Sequence, residues 1–185
     1  MYQQPWGYPY WHTPVYDWTP NPWSYQWNPY YAHWNPSRYP HDRRINLTDH
    51  GNSPFVVNIE QAAKQNQTYR TAIWTGKHLQ VTVMSINVGD DIGLEVHPTT
   101  DQFIRIEEGQ GLVQMGPSRD RLDFQQMAYE DDAIMIPAGT WHNVVNTGHK
   151  PLKVYVIYAP PEHPFGTVHE TKQIAMAAEE SGHDR

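Results

Sequence analysis

Gly89-Asp-Asp-Ile-Gly-Leu-Glu95-Val-His97-Pro-Thr-Thr-Asp-Gln102-Phe-Ile-Arg-Ile-Glu-Glu-Gly109 is the stretch that decides how this chain folds. Glu95 and His97 are two residues apart, so on an extended strand both side chains leave the same face. Gln102 opens the next strand after a short excursion, and all three can converge inside a closed sheet. A second stretch, Asp131-Asp-Ala-Ile-Met-Ile-Pro137-Ala-Gly139-Thr-Trp-His142-Asn-Val-Val-Asn146, reads as strand, tight turn and strand, the last beginning at His142. His142 is therefore placed to supply a fourth donor.

Around these stretches the chain alternates polar and apolar residues in short runs bounded by Gly, Pro and Asn, the pattern of half-buried antiparallel strands. Thr68 to Thr75 and His78 to Val88 are two such runs; in the second, Leu79, Val81 and Val83 give way in phase to Met84, Ile86 and Val88, which suggests a bulge. Gln102 to Glu108 and Leu112 to Met115 flank Gly109-Gln110-Gly111, read as a tight hairpin. Ala133 to Ile136, His142 to Asn146 and Leu152 to Tyr158 follow at short spacing, as in a barrel or sandwich. Only Glu170 to Glu180 looks helical, ending before Gly182. The expected organisation is a tail over residues 1–42, a barrel over 43–168, and a terminal helix with its own short tail over 169–185.

The tail is a different kind of sequence. Residues 1–40 hold six of the eight tryptophans, eight of the twelve tyrosines and eight of the sixteen prolines, with Asp17 and Arg38 as the only acid and base. Proline at this density interrupts helices and sheet ladders alike, so extended or turn-rich chain is expected. The rings could fold back on the barrel, pad a dimer interface, or drive assembly with other proteins.

Composition also narrows the partners. A net charge of -7 without a basic run offers no footprint for nucleic acid or an anionic membrane, leaving a small molecule or another protein. The chain has no cysteine, which rules out disulfides and thiolate metal sites, while eleven histidines keep metal binding open. No apolar run approaches the roughly 20 residues that span a bilayer, and no classical export signal opens the sequence. Cytoplasmic synthesis is expected.

The two stretches resemble the paired motifs of the cupin superfamily, G-x5-H-x-H-x4-E-x6-G and G-x5-P-x-G-x2-H-x3-N. Gly89, His97, Gly109, Pro137, Gly139, His142 and Asn146 fall on the family's positions, and the likeness extends over residues 69–160. It implies an all-β, single-domain jelly-roll barrel with a short C-terminal helix and an irregular N-terminal tail. It also implies one mononuclear metal site with ligands Glu95, His97, Gln102 and His142. Three positions depart from the pattern: Glu95 replaces a histidine, Gln102 a glutamate, and Asp131 a glycine. The first two exchanges move the carboxylate without changing the formal charge of the ligand set. Two imidazoles and two oxygens suit divalent Mn, Fe, Co, Ni or Zn. Glutamine cannot act as a base, so proton handling would fall to Glu95 or to water activated by the ion.

By the same alternation, Ile104, Ile106, Val144 and Asn146 should line the cavity and Arg105 should face outward. Trp141 is read as packing beside the turn, and His163 as a solvent-exposed loop histidine, the alternative being that its loop caps the barrel and brings it near the metal. Asn46-Leu-Thr48 and Asn66-Gln-Thr68 match the glycosylation pattern by coincidence.

Two functions follow as expectations. One is a metal-dependent enzyme, an isomerase, lyase or dioxygenase acting on a small oxygen-rich molecule of sugar or carboxylate type. Small cupins of this kind resemble the mannose-6-phosphate isomerase-like group, although no Lys or Arg cluster for a phosphate accompanies the motifs. The other is a structural protein, since the tail resembles the Tyr/Trp/Pro-rich segments of bacterial spore-coat proteins. A homodimer is expected in either case, because cupins commonly pair barrel edges.

Overall fold

The computed structural model describes residues 44–182; the tail expected over residues 1–42 lies outside the described residues. Nine strands form two antiparallel sheets. They are β1 (Arg70–Thr75), β2 (Gln80–Ile86), β3 (Asp101–Glu108), β4 (Gln110–Gly116), β5 (Phe124–Tyr129), β6 (Ala133–Ile136), β7 (Trp141–Asn146), β8 (Leu152–Ala159) and β9 (Val168–His169). One sheet has six strands in the order β6-β3-β8-β2-β1-β9, the other three in the order β5-β4-β7. The segment from Gly89 to Glu95 runs along β7 as a fourth, irregular member of the smaller sheet. Its bridges pair Asp91 with Val145 and Glu95 with His142. This is the cupin-like jelly-roll fold.

The inner faces meet in one apolar core. Ile104 and Ile106 of β3, Val154 and Val156 of β8, Met84 and Ile86 of β2, and Val113 and Val144 of the smaller sheet are all buried there. The registers explain the selection. Ile104 is opposite Val156, Ile106 opposite Val154, and Met84 opposite both Val154 and Arg70, so one parity of each strand faces inward across the whole sheet. Arg105, of the other parity, faces out and pairs with Asp131 and Glu107.

Four expectations change. A helix stands where none was expected, α1 (Ile59–Gln65), capped by Asn58, whose side chain accepts from the Gln61 amide at 3.0 Å. Ala62 and Ala63 of α1 pack with Ile73 and Val83 against the outer face of the large sheet. This second core makes β2 apolar on both faces, so the phase change between Val83 and Met84 is not a bulge in β2. Its register with β8 is unbroken from Gln80 to Ile86, and the irregularity lies in β1 between Ala72 and Trp74. Gly109 (φ +99°) does not close a hairpin, because β3 and β4 belong to different sheets; it turns a corner between them. Strands β5 and β9 were not anticipated. Exposed, polar-rich Phe124–Tyr129 and two-residue β9 both lack a readable alternation.

A C-terminal helix is present as expected, but α2 (Lys172–Gly182) begins two residues later than the expected Glu170 and runs through Gly182 rather than ending before it. Ala175 enters the main core, and Lys172 reaches Asp90 at 2.8 Å and Asp91 at 2.6 Å, tying α2 to the first motif. Asp131, where the family has glycine, has φ +74°. Aspartate tolerates this left-handed conformation better than most residues, and its carboxylate meets Arg105 at 2.6 Å. Asn66, which carries one of the two glycosylation patterns, is buried, with its amide donating to the Thr68 carbonyl at 2.7 Å. Among the described residues no helix is long and apolar enough to cross a membrane.

Candidate metal centre

Glu95 and His142 exchange both backbone hydrogen bonds, at 3.0 and 2.9 Å. Residues so paired project side chains from the same face of a sheet at close range. His97 joins them because it is two residues beyond Glu95, and its carbonyl accepts from the Gly139 amide at 2.8 Å. That bond ties the first motif to the turn of the second. Gly139 itself has φ +77°, the conformation for which glycine is suited.

The result is a compact donor set. Oε1 of Glu95 lies 3.3 Å from Nε2 of His97 and 3.3 Å from Nε2 of His142. One ligand atom from each of the three residues falls within 4.8 Å of the others. Gln102 is buried on the inner face of β3, opposite Tyr158, whose ring meets that of His97 edge-on at 5.7 Å.

Three observations fit these residues to a metal ion. First, Glu95 Oε1, His97 Nε2, Gln102 Oε1 and His142 Nε2 are all buried without a hydrogen-bond partner. Orphaned polar atoms are rare in folded interiors because each costs about 1–3 kcal/mol, and four of the ten among the described residues are the expected ligand atoms. Second, both imidazoles are held by their other nitrogen. Nδ1 of His142 is 2.8 Å from the Thr140 carbonyl, and Nδ1 of His97 is 3.2 Å from Glu162. Each Nδ1 can keep its proton, which leaves the Nε2 lone pair free for the centre. Third, Glu95 is ionised. Burial would raise its carboxyl, but His142, His97 and Arg70 outweigh that and hold it well below the usual carboxylate range. In the metal-free protein, burial opposes a proton on His97, yet Glu162 and Glu95 push it up to about 9.

Sequence reasoning missed the surroundings. Arg70, at 1% exposure, is the first residue of β1 and points inward. Its Nη1 bonds Glu179 of α2 at 2.9 Å and its Nη2 lies 4.0 Å from Glu95. The run Thr68 to Thr75 showed a strand, but its inward parity depends on the pairing of Arg70 with Met84. Glu162 reaches His97 from the loop after β8, a contact that depends only on the path of that loop. The same loop corrects the expectation for His163. It is partly buried rather than solvent-exposed, its ring edge-on to Tyr158 at 5.0 Å, and its backbone is fastened to Gln80 through bonds of 2.9 and 3.0 Å. Trp141 is half-buried next to the site.

An ion at this centre would polarise a carbonyl, carboxyl or hydroxyl oxygen of a ligand. The chain's own groups would orient that ligand and exclude bulk water.

The comparisons agree with this geometry. The cupin domain family matches residues 82–158, which include both motifs. The Bacillus subtilis (strain 168) protein YrkC is 66% identical over 139 residues, covering 75% of this chain and 75% of its own. The L612 protein of Acanthamoeba polyphaga mimivirus is 39% identical over 118 residues, covering 63% of this chain and 72% of its own. The crystal structure of BH2720 from Bacillus halodurans superposes with a TM-score of 0.70 at 68% identity, covering 71% of this chain and 99% of that one. With both motifs in place on the matching fold, the chain belongs to the cupin superfamily.

Proposed function

We propose that this protein is a metal-dependent enzyme in which Glu95, His97, Gln102 and His142 hold one divalent transition metal ion and a small oxygen-rich molecule is the substrate. One observation carries this: four donor atoms of the right chemistry are buried without partners, and three of them converge within 4.8 Å. A barrel kept only as a scaffold would gain stability by replacing such atoms with apolar groups. Glu95 is the group assigned to proton handling, since it is the one ionised carboxylate in the donor set. An isomerase of sugar phosphates is not favoured, because the guanidinium beside the centre, Arg70, is already engaged by Glu179 and Glu95.

The test is metal content by plasma mass spectrometry on protein purified without chelators or affinity tag, for wild type, His97→Ala and His142→Ala. Near-stoichiometric metal in the wild type and its loss in both variants is expected. No metal after reconstitution with Mn, Fe, Co, Ni and Zn would refute the proposal.

A second function is compatible with the first and rests on the ring-rich, nearly uncharged composition of residues 1–40. This segment would deliver a dimeric barrel, made in the cytoplasm, into a protein layer such as a spore coat. Deleting residues 1–40 is then expected to abolish incorporation into the layer while leaving metal content unchanged.

A further inference from the structure

The outer face of the six-stranded sheet is only partly covered by the chain itself. Residues of α1 and of the segment before it pack on Ile73 and Val83, with Val81 at the margin of this cover. Beyond the margin one apolar row crosses five strands in register. Met135 of β6 is opposite Phe103 of β3, Phe103 opposite Ile157 of β8, Ile157 opposite Val81 of β2, and Val81 opposite Trp74 of β1. Four strand spacings make the row roughly 19 Å wide. Met135 is 65% exposed, and the other four are half-buried. A sheet face in contact with water is normally polar. A contiguous apolar row on such a face marks a surface that another molecule covers.

The two ends of the row differ. At the β6 end a cavity of about 360 Å³ is lined by Phe103, Met135, Ile157 and Asp101. At the β1 end a larger cavity, of about 630 Å³, is lined by Trp74, Val81, Phe55, Leu79 and Lys77. Asp101 and Lys77 are both exposed, and among the described residues neither has an ion-pair partner. The Asp101 carboxylate is already held in place, accepting from the Ala138 amide at 2.9 Å. Asp101 and Leu79 each lie two residues before a member of the row, Phe103 and Val81, and β3 and β2 run in the same direction because both are antiparallel to β8. The acid and the base therefore flank the row on the same side, one at each end. Such a surface is complementary to its own reverse. A two-fold axis parallel to the strands at Ile157 turns the sheet over and reverses the row, setting Met135 against the partner's Trp74 and Asp101 beside the partner's Lys77, each contact made twice. Methionine sulfur against an aromatic ring is favourable, and an apolar strip with charges at its rim has the anatomy of a protein interface. An unrelated protein would have to supply separately what a second copy already presents.

We propose that this row is a homodimer face, covered by a second copy of the chain across a two-fold axis parallel to the strands, so that pairing runs through a face of the large sheet rather than through its edges. The inference is independent of the metal assignment. The test is sedimentation-velocity ultracentrifugation of the full chain at concentrations up to about 100 μM, for wild type, Met135→Glu, Asp101→Lys and Lys77→Asp. All three substitutions fall at exposed positions, and circular dichroism checks that each variant is folded. The wild type is expected to be dimeric, and each variant to dimerise at least about tenfold more weakly, since two contacts change in every dimer. An equimolar mixture of Asp101→Lys and Lys77→Asp should associate more tightly than either variant alone, because their heterodimer again sets opposite charges together at both ends of the row. That recovery depends on the reversed alignment, and association through the barrel edges or through residues 1–42 would not produce it. A wild type that stays monomeric, a dimer that Met135→Glu leaves unchanged, or a mixture that associates no more tightly than its components overturns the inference.

Discussion

At the proposed centre a proton and a metal ion would compete for His97, and the competition can be worked from the structure. In the metal-free protein burial disfavours the imidazolium, but Glu162 at 3.2 Å and Glu95 at 3.3 Å prevail and raise His97 to about 9. Metal binding requires that this proton leave, so below that value each pH unit should reduce apparent affinity about tenfold. At pH 7 the reduction is about a hundredfold, or ~2.7 kcal/mol. Glu95 does not add to the slope, since its carboxyl titrates far below this range. The sign for the fold is opposite. A group raised from 6.5 to about 9 stabilises the metal-free protein fully below pH 6.5 and loses that contribution as pH rises through 9. Replacing Glu162 by glutamine removes the leading cause of the rise, so the break in affinity should move to lower pH. Above the break the same variant should bind metal 10–100-fold more weakly, because the carboxylate no longer orients the ring. The assay is a competition titration of Zn(II) against a fluorescent chelator from pH 6 to 9.5, run on wild type and Glu162→Gln. A flat wild-type profile between pH 7 and 9, or an unmoved break in the variant, would refute the reasoning.

Three further outcomes are expected from packing and backbone geometry. Ile106→Ala, at a fully buried position between the sheets, should lower unfolding free energy by about 2–5 kcal/mol in urea titration. Asn146→Ala should cost about 2–3 kcal/mol by the same measurement, since Asn146 donates to the carbonyls of Ile86 and Lys150 at 2.9 Å each and accepts from the Gly148 amide. Gly93→Ala should cost about 1–2 kcal/mol in urea titration, because Gly93 has φ +84°, a left-handed conformation that strains a residue with a Cβ; the Met176 methyl, 2.3 Å from the added Cβ, is the end of a flexible side chain and can swing aside, and unchanged stability would contradict the prediction.

The legible part of the site was the part written in strand parity. Glu95 and His97 share a face because they are two apart, and His142 joins them because its strand begins after a turn that needs Pro137 and Gly139. Asp131 shows why a departure from a motif can be silent, since the position asks for a positive φ and aspartate supplies it. Strand residues with both faces buried were misread. Val81 and Val83 lie under α1, so alternation in β2 no longer separates inside from outside. A seven-residue helix whose apolar stripe is Ile59, Ala62 and Ala63 offers too few turns to give a strong periodic signal.

By itself the sequence determined the all-β class, the inward parity of the motif strands and the candidate donors Glu95, His97, Gln102 and His142, because these follow from local backbone geometry and residue chemistry; the jelly-roll came from the likeness of the two motifs to the cupin pattern. Only the tertiary structure decided what surrounds them. Arg70 faces Glu95 because β1 pairs with β2 in one register, and Glu162 and His163 reach the interior because the loop after β8 folds back and is fastened to Gln80. Such contacts join residues far apart in the chain, and no local pattern encodes them. Their energies depend on burial, which exists only once the sheets have closed.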